Sequence, residues 1–166
     1  MKYFLALFFL CSLNCFSQNN LSILKEDTSI EKLIVNKRML DMMSNVKNQN
    51  GNATTESYKI LLKKFNLLEV YTTKVLDFSQ IIIDEGEEYI KDNNLVLFQT
   101  DEITIQNIGI YTNKDAQIEL IKELIVLIKP SVNTTDTKLI RVTGEFSFED
   151  FKSILNKLKL EDFKTK

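Results

Sequence analysis

Phe4 to Leu10 is the longest unbroken apolar run in the chain, preceded by Met1-Lys2-Tyr3 and followed by Cys15-Phe16-Ser17. A short positive start, an apolar stretch and small residues at the −3 and −1 positions make residues 1–17 a Sec-type signal peptide, with Gln18 as the expected new N-terminus. Even extended to Leu13, the stretch is too short to cross a bilayer, which takes about twenty apolar residues. The apolar run is thus consumed by export, and the fold must be built from the 149 residues that follow.

A lipid anchor is the competing reading of the same segment. It needs a small residue immediately before the modified Cys and an aliphatic one three before it. Cys15 follows Ser12-Leu13-Asn14, and Cys11 follows Phe8-Phe9-Leu10. Neither fits, so the expectation is simple cleavage to a soluble product, periplasmic or extracellular.

Both cysteines leave with the signal, and the chain has neither His nor Trp. The mature chain therefore has no disulfide, no thiolate nucleophile and no Cys or His metal ligand. Ser-His-Asp and Cys-His triads are excluded. The formal charge is −2 for the whole chain and −3 once Lys2 is lost. Basic residues are scattered among acids rather than gathered in a stripe, so nucleic-acid binding has no electrostatic footprint. Pro130 is the only proline and glycine is scarce, which leaves no flexible linker or phosphate-binding loop. A chain of this length makes one domain, here residues 29–166, able to bury a core without staples.

Residues 18–28 are polar with a few apolar positions and read as a loosely held, flexible arm. Ser29 to Val35 reads as a strand, and Asn36 as the N-cap of a helix whose Met39, Met42, Met43 and Val46 recur at helical spacing. Asn48-Gln49-Asn50-Gly51-Asn52 is turn-forming. A second helix carries Tyr58, Leu61, Leu62 and Phe65 on one face. Leu67 to Thr72 reads as a strand. A long helix from Lys74 to Lys91, capped by Thr72 or Thr73, contains Gly86, which points to close packing or a bend. Strands follow at 95–100 and 103–111, the second with an apolar phase shift that a β-bulge near Gly109 would produce. Residues 118–129 fit either a helix or a strand buried on both faces; β-branched density and Pro130 favour a strand over Lys122 to Lys129. Thr137 to Phe146 alternates as the last strand. Ser147-Phe148-Glu149-Asp150 has the form of a capping box opening a terminal helix. The order predicts an α+β two-layer sandwich, a mostly antiparallel sheet with helices on one face.

The segments Leu33 to Met43, Leu68 to Thr73 and Leu139 to Asp150 resemble the opening strand and Met-rich helix, the second strand, and the closing strand with its Gly turn and acidic helix cap of the domain-of-unknown-function family 4252. The resemblance covers about Ser29 to Leu160. It implies an exported protein of Bacteroidetes-type bacteria, and genes near extracytoplasmic-function sigma factors imply a role in envelope stress. Many members look like lipoproteins, and this chain departs there. The resemblance brings no catalytic residues.

Several candidate sites compete with plainer readings. Asp84, Glu87 and Glu88 fall at i, i+3 and i+4, so their oxygens could share a Ca²⁺; lacking a loop with carbonyl donors, they read as the solvated back of a helix. Glu69, Asp101, Glu102 and Glu145 lie on strands or strand ends, where a pair could converge for acid–base hydrolysis. The Met39-Met42-Met43 row offers an adaptable binding surface, but helical spacing favours core. Phe146, Phe148 and Phe151 read as staple and core. Arg141, one of two arginines, sits on a strand where it either pairs with an acid or faces solvent. With Ile140 and Val142 turned to the helices, Leu139, Arg141 and Thr143 would form an exposed interaction face on the other side of the sheet.

The sequence thus predicts an exported, non-enzymatic domain that binds or serves in an envelope-stress response, with no cofactor, no metal and no transmembrane segment. An envelope protein is the expected partner. A carboxylate- or metal-dependent hydrolase of an envelope polymer is the alternative. Mass spectrometry of the protein from its native host should give a species beginning at Gln18, free or cyclised to pyroglutamate. Lipid on Cys15, or retention of Met1, would overturn the targeting assignment.

Overall fold

The computed structural model describes residues 21–45, 53–98, 107–131 and 136–157. The elements, in chain order, are α1 (Ser22–Glu26), β1 (Glu31–Asn36), α2 (Lys37–Asn45), α3 (Ala53–Lys63), β2 (Phe65–Thr73), α4 (Leu76–Asp92), β3 (Val96–Leu97), β4 (Ile108–Thr112), β5 (Ile121–Ile128), β6 (Thr137–Phe146) and α5 (Phe148–Lys157). The strands form one sheet in the order β1-β2-β6-β5-β4-β3, antiparallel at every pairing. The α+β class and the antiparallel sheet are as the sequence predicts, and 118–129 resolves to a strand beginning at Ile121.

The helix coverage corrects the expectation of a single covered face. Alternate residues of each central strand enter two separate cores. Leu68, Val70, Leu124, Val126, Ile140 and Val142 meet Leu40 of α2, Leu61 and Leu62 of α3, and Phe148, Phe151 and Ile154 of α5. Tyr71, Ile125, Leu127 and Leu139 meet Leu21, Leu24 and Ile30 around α1, and Ile82 and Tyr89 of α4. Both faces of β5 and β6 must be apolar for this, and their runs of consecutive buried residues show it. Gly86 lets α4 approach the sheet: a Cβ there would lie 3.1 Å from Leu139 Cδ1.

The segment read as a loose arm is, over its described residues, part of this second core. Leu21 and Leu24 are fully buried, and Lys25 reaches Glu69 at 3.0 Å. Spacing alone conceals this, because a five-residue helix shows too little periodicity to reveal an apolar face.

Two of the three expected caps are found; the third is corrected, since α4 starts at Leu76 with Val75 as an N-cap that makes no side-chain bond, and Thr73 Oγ1 accepts only from the Val75 N–H ahead of the helix. Asn36 Oδ1 accepts from the Met39 N–H at 3.0 Å. Ser147 Oγ accepts from the Asp150 N–H while Asp150 Oδ2 accepts from the Ser147 N–H, a reciprocal box further held by Lys64 at 2.7 Å. Burial alone would raise the Asp150 pKa; the Lys64 ammonium and the Ser147 donors outweigh it and hold the carboxyl below its ordinary value. Phe146, Phe148 and Phe151 are buried, with ring centroids 4.9 Å apart for Phe65–Phe146 and 6.0 Å for Phe148–Phe151. Phe65, read as the last residue of a helical face, instead opens β2.

Among the described residues no bulge falls at Gly109, since β4 pairs with β5 without a shift from Ile108 to Thr112; Ile105, where the apolar phase begins to shift, lies outside them. The irregularity sits at Gly144. Pairing with β2 shifts between Phe65 and Leu67, and pairing with β5 between Ile121 and Glu123, both opposite residues 143–146 of β6. Gly144 has φ +156°, and a Cβ on it would fall 2.2 Å from the Lys64 carbonyl oxygen. That carbonyl accepts from the Glu145 N–H at 2.8 Å. Gly144→Ala should therefore cost about 2–4 kcal/mol by chemical denaturation, from backbone strain and the clash together. A loss below about 0.5 kcal/mol would show that the strand relaxes freely there.

Candidate functional site

The row Leu139, Arg141 and Thr143 lies on the face opposite Ile140 and Val142, as the alternation requires, but that face is covered. Leu139 is fully buried among α4 side chains, and the Arg141 side chain is 13% exposed. Thr143 is half-buried, facing Glu123 across the β5 pairing. The exposed interaction face is thus corrected to an internal one, because α1 and α4 pack on it.

Arg141 takes the first of its two expected states, with two acids rather than one. Glu69 is its partner in the β2 register, and Nη1 lies 3.2 Å from Glu69 Oε2. Its Nε donates to Glu123 Oε1 at 2.8 Å, reaching diagonally across β5. The same Oε1 accepts from the Tyr89 hydroxyl at 2.7 Å, and the guanidinium lies over the Tyr89 ring, 4.8 Å from its centroid. Lys25 closes the set on Glu69 Oε1. Two carboxylates and two cations give a cluster balanced in formal charge, in which Glu69 is 1% exposed. Burying such groups singly costs several kcal/mol each, so mutual pairing is the condition of their presence.

The backbone around Glu123 is set by the nearby register shift. Its N–H donates to Asn113 Oδ1 and its carbonyl accepts from Thr112 Oγ1, two side chains at the end of β4. Irregular pairing leaves backbone groups that must find other partners, and these supply them.

Burial pushes both tyrosine hydroxyls well above their ordinary pKa. At Tyr89 the hydrogen bond and charge of Glu123 add to burial; at Tyr71 the adjacent Glu69 charge adds, and Arg141 opposes the rise at both. They remain protonated across the neutral range, Tyr89 as a donor. The Tyr71 hydroxyl is buried beside Glu69 without a hydrogen bond of good geometry. Burial would lower the Arg141 pKa, but the Glu123 hydrogen bond and the surrounding charges more than offset it, so the guanidinium stays charged. Chemically the cluster is an ion-pair network: the carboxylates are engaged by Arg141, Lys25 and the Tyr89 hydroxyl.

Of the four acids weighed for acid–base hydrolysis, Glu69 belongs to this network. Glu145 is exposed, and Asp101 and Glu102 lie outside the described residues. Glu123 was missed. The available signal was an acid inside an otherwise apolar strand, the same signal that marks Glu69. In the acidic helix, Asp84, Glu87 and Glu88 are exposed; Asp84 accepts from Gln80 and Glu87 pairs with Lys129. Glu85 is buried, and burial, followed by the charges of Glu88 and Asp84, raises its pKa. Among the described residues no group of three or more acidic side chains converges as a metal-ligand set. No helix among them is long and apolar enough to cross a membrane.

The methionine row also departs from the expectation. Leu40 and Ser44 form the buried side of α2, while Met39, Met42 and Met43 are 43, 63 and 40% exposed. Val46 lies outside the described residues. Four apolar positions at helical spacing suggested the core face, but the leucine one residue away from Met39 takes that place.

The family described as "Domain of unknown function (DUF4252)" matches residues 24–154. Comparison with curated proteins and with solved structures gave no match.

Arg141→Met removes the shared cation and leaves the buried Glu69 and the half-buried Glu123 underpaired. It should cost about 3–5 kcal/mol in denaturant unfolding. Adding Glu69→Gln and Glu123→Gln should return part of that loss, because the unpaired charges go too. A single-variant loss under about 1 kcal/mol would show that the cluster is not coupled.

Proposed function

We propose that this chain, which belongs to the DUF4252 family, is an exported, non-enzymatic domain that binds a protein partner in the cell envelope. The observation that carries this reading is the methionine row of α2. Met39, Met42 and Met43 share one side of the helix, exposed to solvent, and Leu33 of the preceding strand is also exposed on the side of the sheet that α2 covers. Unbranched thioether side chains adapt to irregular partner surfaces, and clustered exposed apolar groups mark interaction sites on soluble domains.

The N-terminal seventeen residues support export. The envelope-stress setting rests on the family resemblance. The hydrolase alternative draws no support from Glu69 and Glu123, since acid–base hydrolysis needs two carboxyls free to exchange protons with substrate across a cleft. Here both are engaged around one guanidinium.

A photo-crosslinking residue at position 42, introduced in the native host, should trap a discrete envelope protein as an adduct of defined mass. Met39→Glu or Met43→Glu should abolish that adduct while leaving the melting temperature within a few degrees. No discrete adduct, or one indifferent to both substitutions, would sink the binding role.

A further inference from the structure

Residues 18–166 contain no cysteine, histidine or tryptophan, and their only methionines are Met39, Met42 and Met43, all on α2. The thioether, a common target of oxidants, is therefore concentrated in one helix of that stretch. Its distribution is one-sided. The buried residues of both core clusters are Leu, Ile, Val, Phe and Tyr, with no methionine in either. The three sulfurs stand outside those cores, on residues 43, 63 and 40% exposed, so an oxidant reaches them without opening the fold. What holds α2 in place does not involve them. Leu40 and Ser44 are its buried residues, Asn36 caps it, and Lys37 pairs with Asp41 one turn on at 3.3 Å.

We propose that Met39, Met42 and Met43 form a reversible oxidation site, at which peroxides turn the exposed apolar row of α2 polar while the domain stays folded. In each step the thioether sulfur attacks one peroxide oxygen with its lone pair. The S–O bond forms as the O–O bond breaks, and the proton on the transferred oxygen passes to the departing hydroxide, which leaves as water. Sulfur gives up two electrons and the peroxide takes them. Methionine sulfoxide reductases reverse the step: two thiols supply the electrons and protons, become a disulfide, and the oxygen leaves as water. Oxidation of a core methionine disrupts packing, whereas here the new oxygens enter solvent. The row thus becomes hydrophilic with the cap and the buried side of α2 untouched. Peroxide would then release the envelope partner and repair would restore it. That last consequence rests on the binding role proposed above; the oxidation site itself does not.

The test uses the protein purified from its native host, treated with hydrogen peroxide and followed by peptide mass spectrometry. Each of the three methionines should gain one oxygen at a rate within about tenfold of N-acetylmethionine amide, with Met42, the most exposed, leading. The melting temperature should stay within a few degrees, and retention on a hydrophobic-interaction column should fall. The two reductases, one for each sulfoxide epimer, should restore both mass and retention. Replacing the row by Met39→Leu, Met42→Leu and Met43→Leu keeps it apolar and should abolish the peroxide-dependent change in retention. With the photo-crosslinking residue at position 42, peroxide should remove the partner adduct, and Met39→Leu with Met43→Leu should protect it. Absence of any adduct before peroxide would count against the partner alone, since mass, retention and repair are read on the purified chain. Oxidation more than about a hundredfold slower than the reference, unfolding that accompanies it, sulfoxides that the reductases leave in place, or an equal retention loss in the leucine variant would each overturn the proposal.

Discussion

The pairing of Arg141 with Glu69 and Glu123 is the constraint on which the rest of this fold depends. Apolar burial is non-directional, and a strand displaced by two residues keeps its apolar side facing the core. An ion pair does not tolerate that displacement. Glu69 stands opposite Arg141 on β2 and Glu123 reaches it from β5, so the three central strands have one register in which the charges meet. Slipping either pairing by two residues would strand a carboxylate in a core that cannot solvate it. The cluster adds specificity where a run such as Leu124-Ile125-Val126-Leu127-Ile128 offers little of its own.

The same charges explain why both faces of the sheet are covered. A guanidinium with two acids on a bare sheet face would be solvated and would contribute little. Here Tyr89 of α4 lies over the guanidinium and donates to Glu123, and Lys25 of α1 neutralises Glu69. Each covering helix brings a side chain that the network lacks. Gly86 and the buried Ser79–Thr137 hydroxyl bond, 2.9 Å long, fix how closely α4 settles.

Much of this was legible in the sequence. Two caps were read correctly because capping is local: Asn36, Ser147 and Asp150 act on backbone groups three residues away. The alternation of β6 was equally clear, with Ile140 and Val142 on one face and Leu139 and Arg141 on the other. What alternation cannot tell is whether the second face is covered, since that depends on α4 and α1, distant in sequence. The bulge expected near Gly109 and the one missed at Gly144 share a cause. A phase shift in apolar residues is weak evidence for a bulge, whereas the need for glycine at 144 comes from the Lys64 carbonyl, some eighty residues away. Glu69 was weighed for hydrolysis and Glu123 was passed over, because the partner of both lies on another strand.

The exposure of α2 has a physical consequence of its own. This nine-residue helix buries Leu40 and Ser44, is capped by Asn36, and packs on α3, β1 and β2. Its place in the fold is therefore secured without the methionines. Polar residues at 39, 42 and 43 would hold the helix as well and would raise solubility, since they face water in the folded chain. Three apolar side chains kept there cannot be attributed to the core. Stability arguments account for the two buried clusters and for the ion network between the strands, and they stop at this row. What remains at the surface of α2 is a row of apolar side chains that the packing of this helix leaves unexplained.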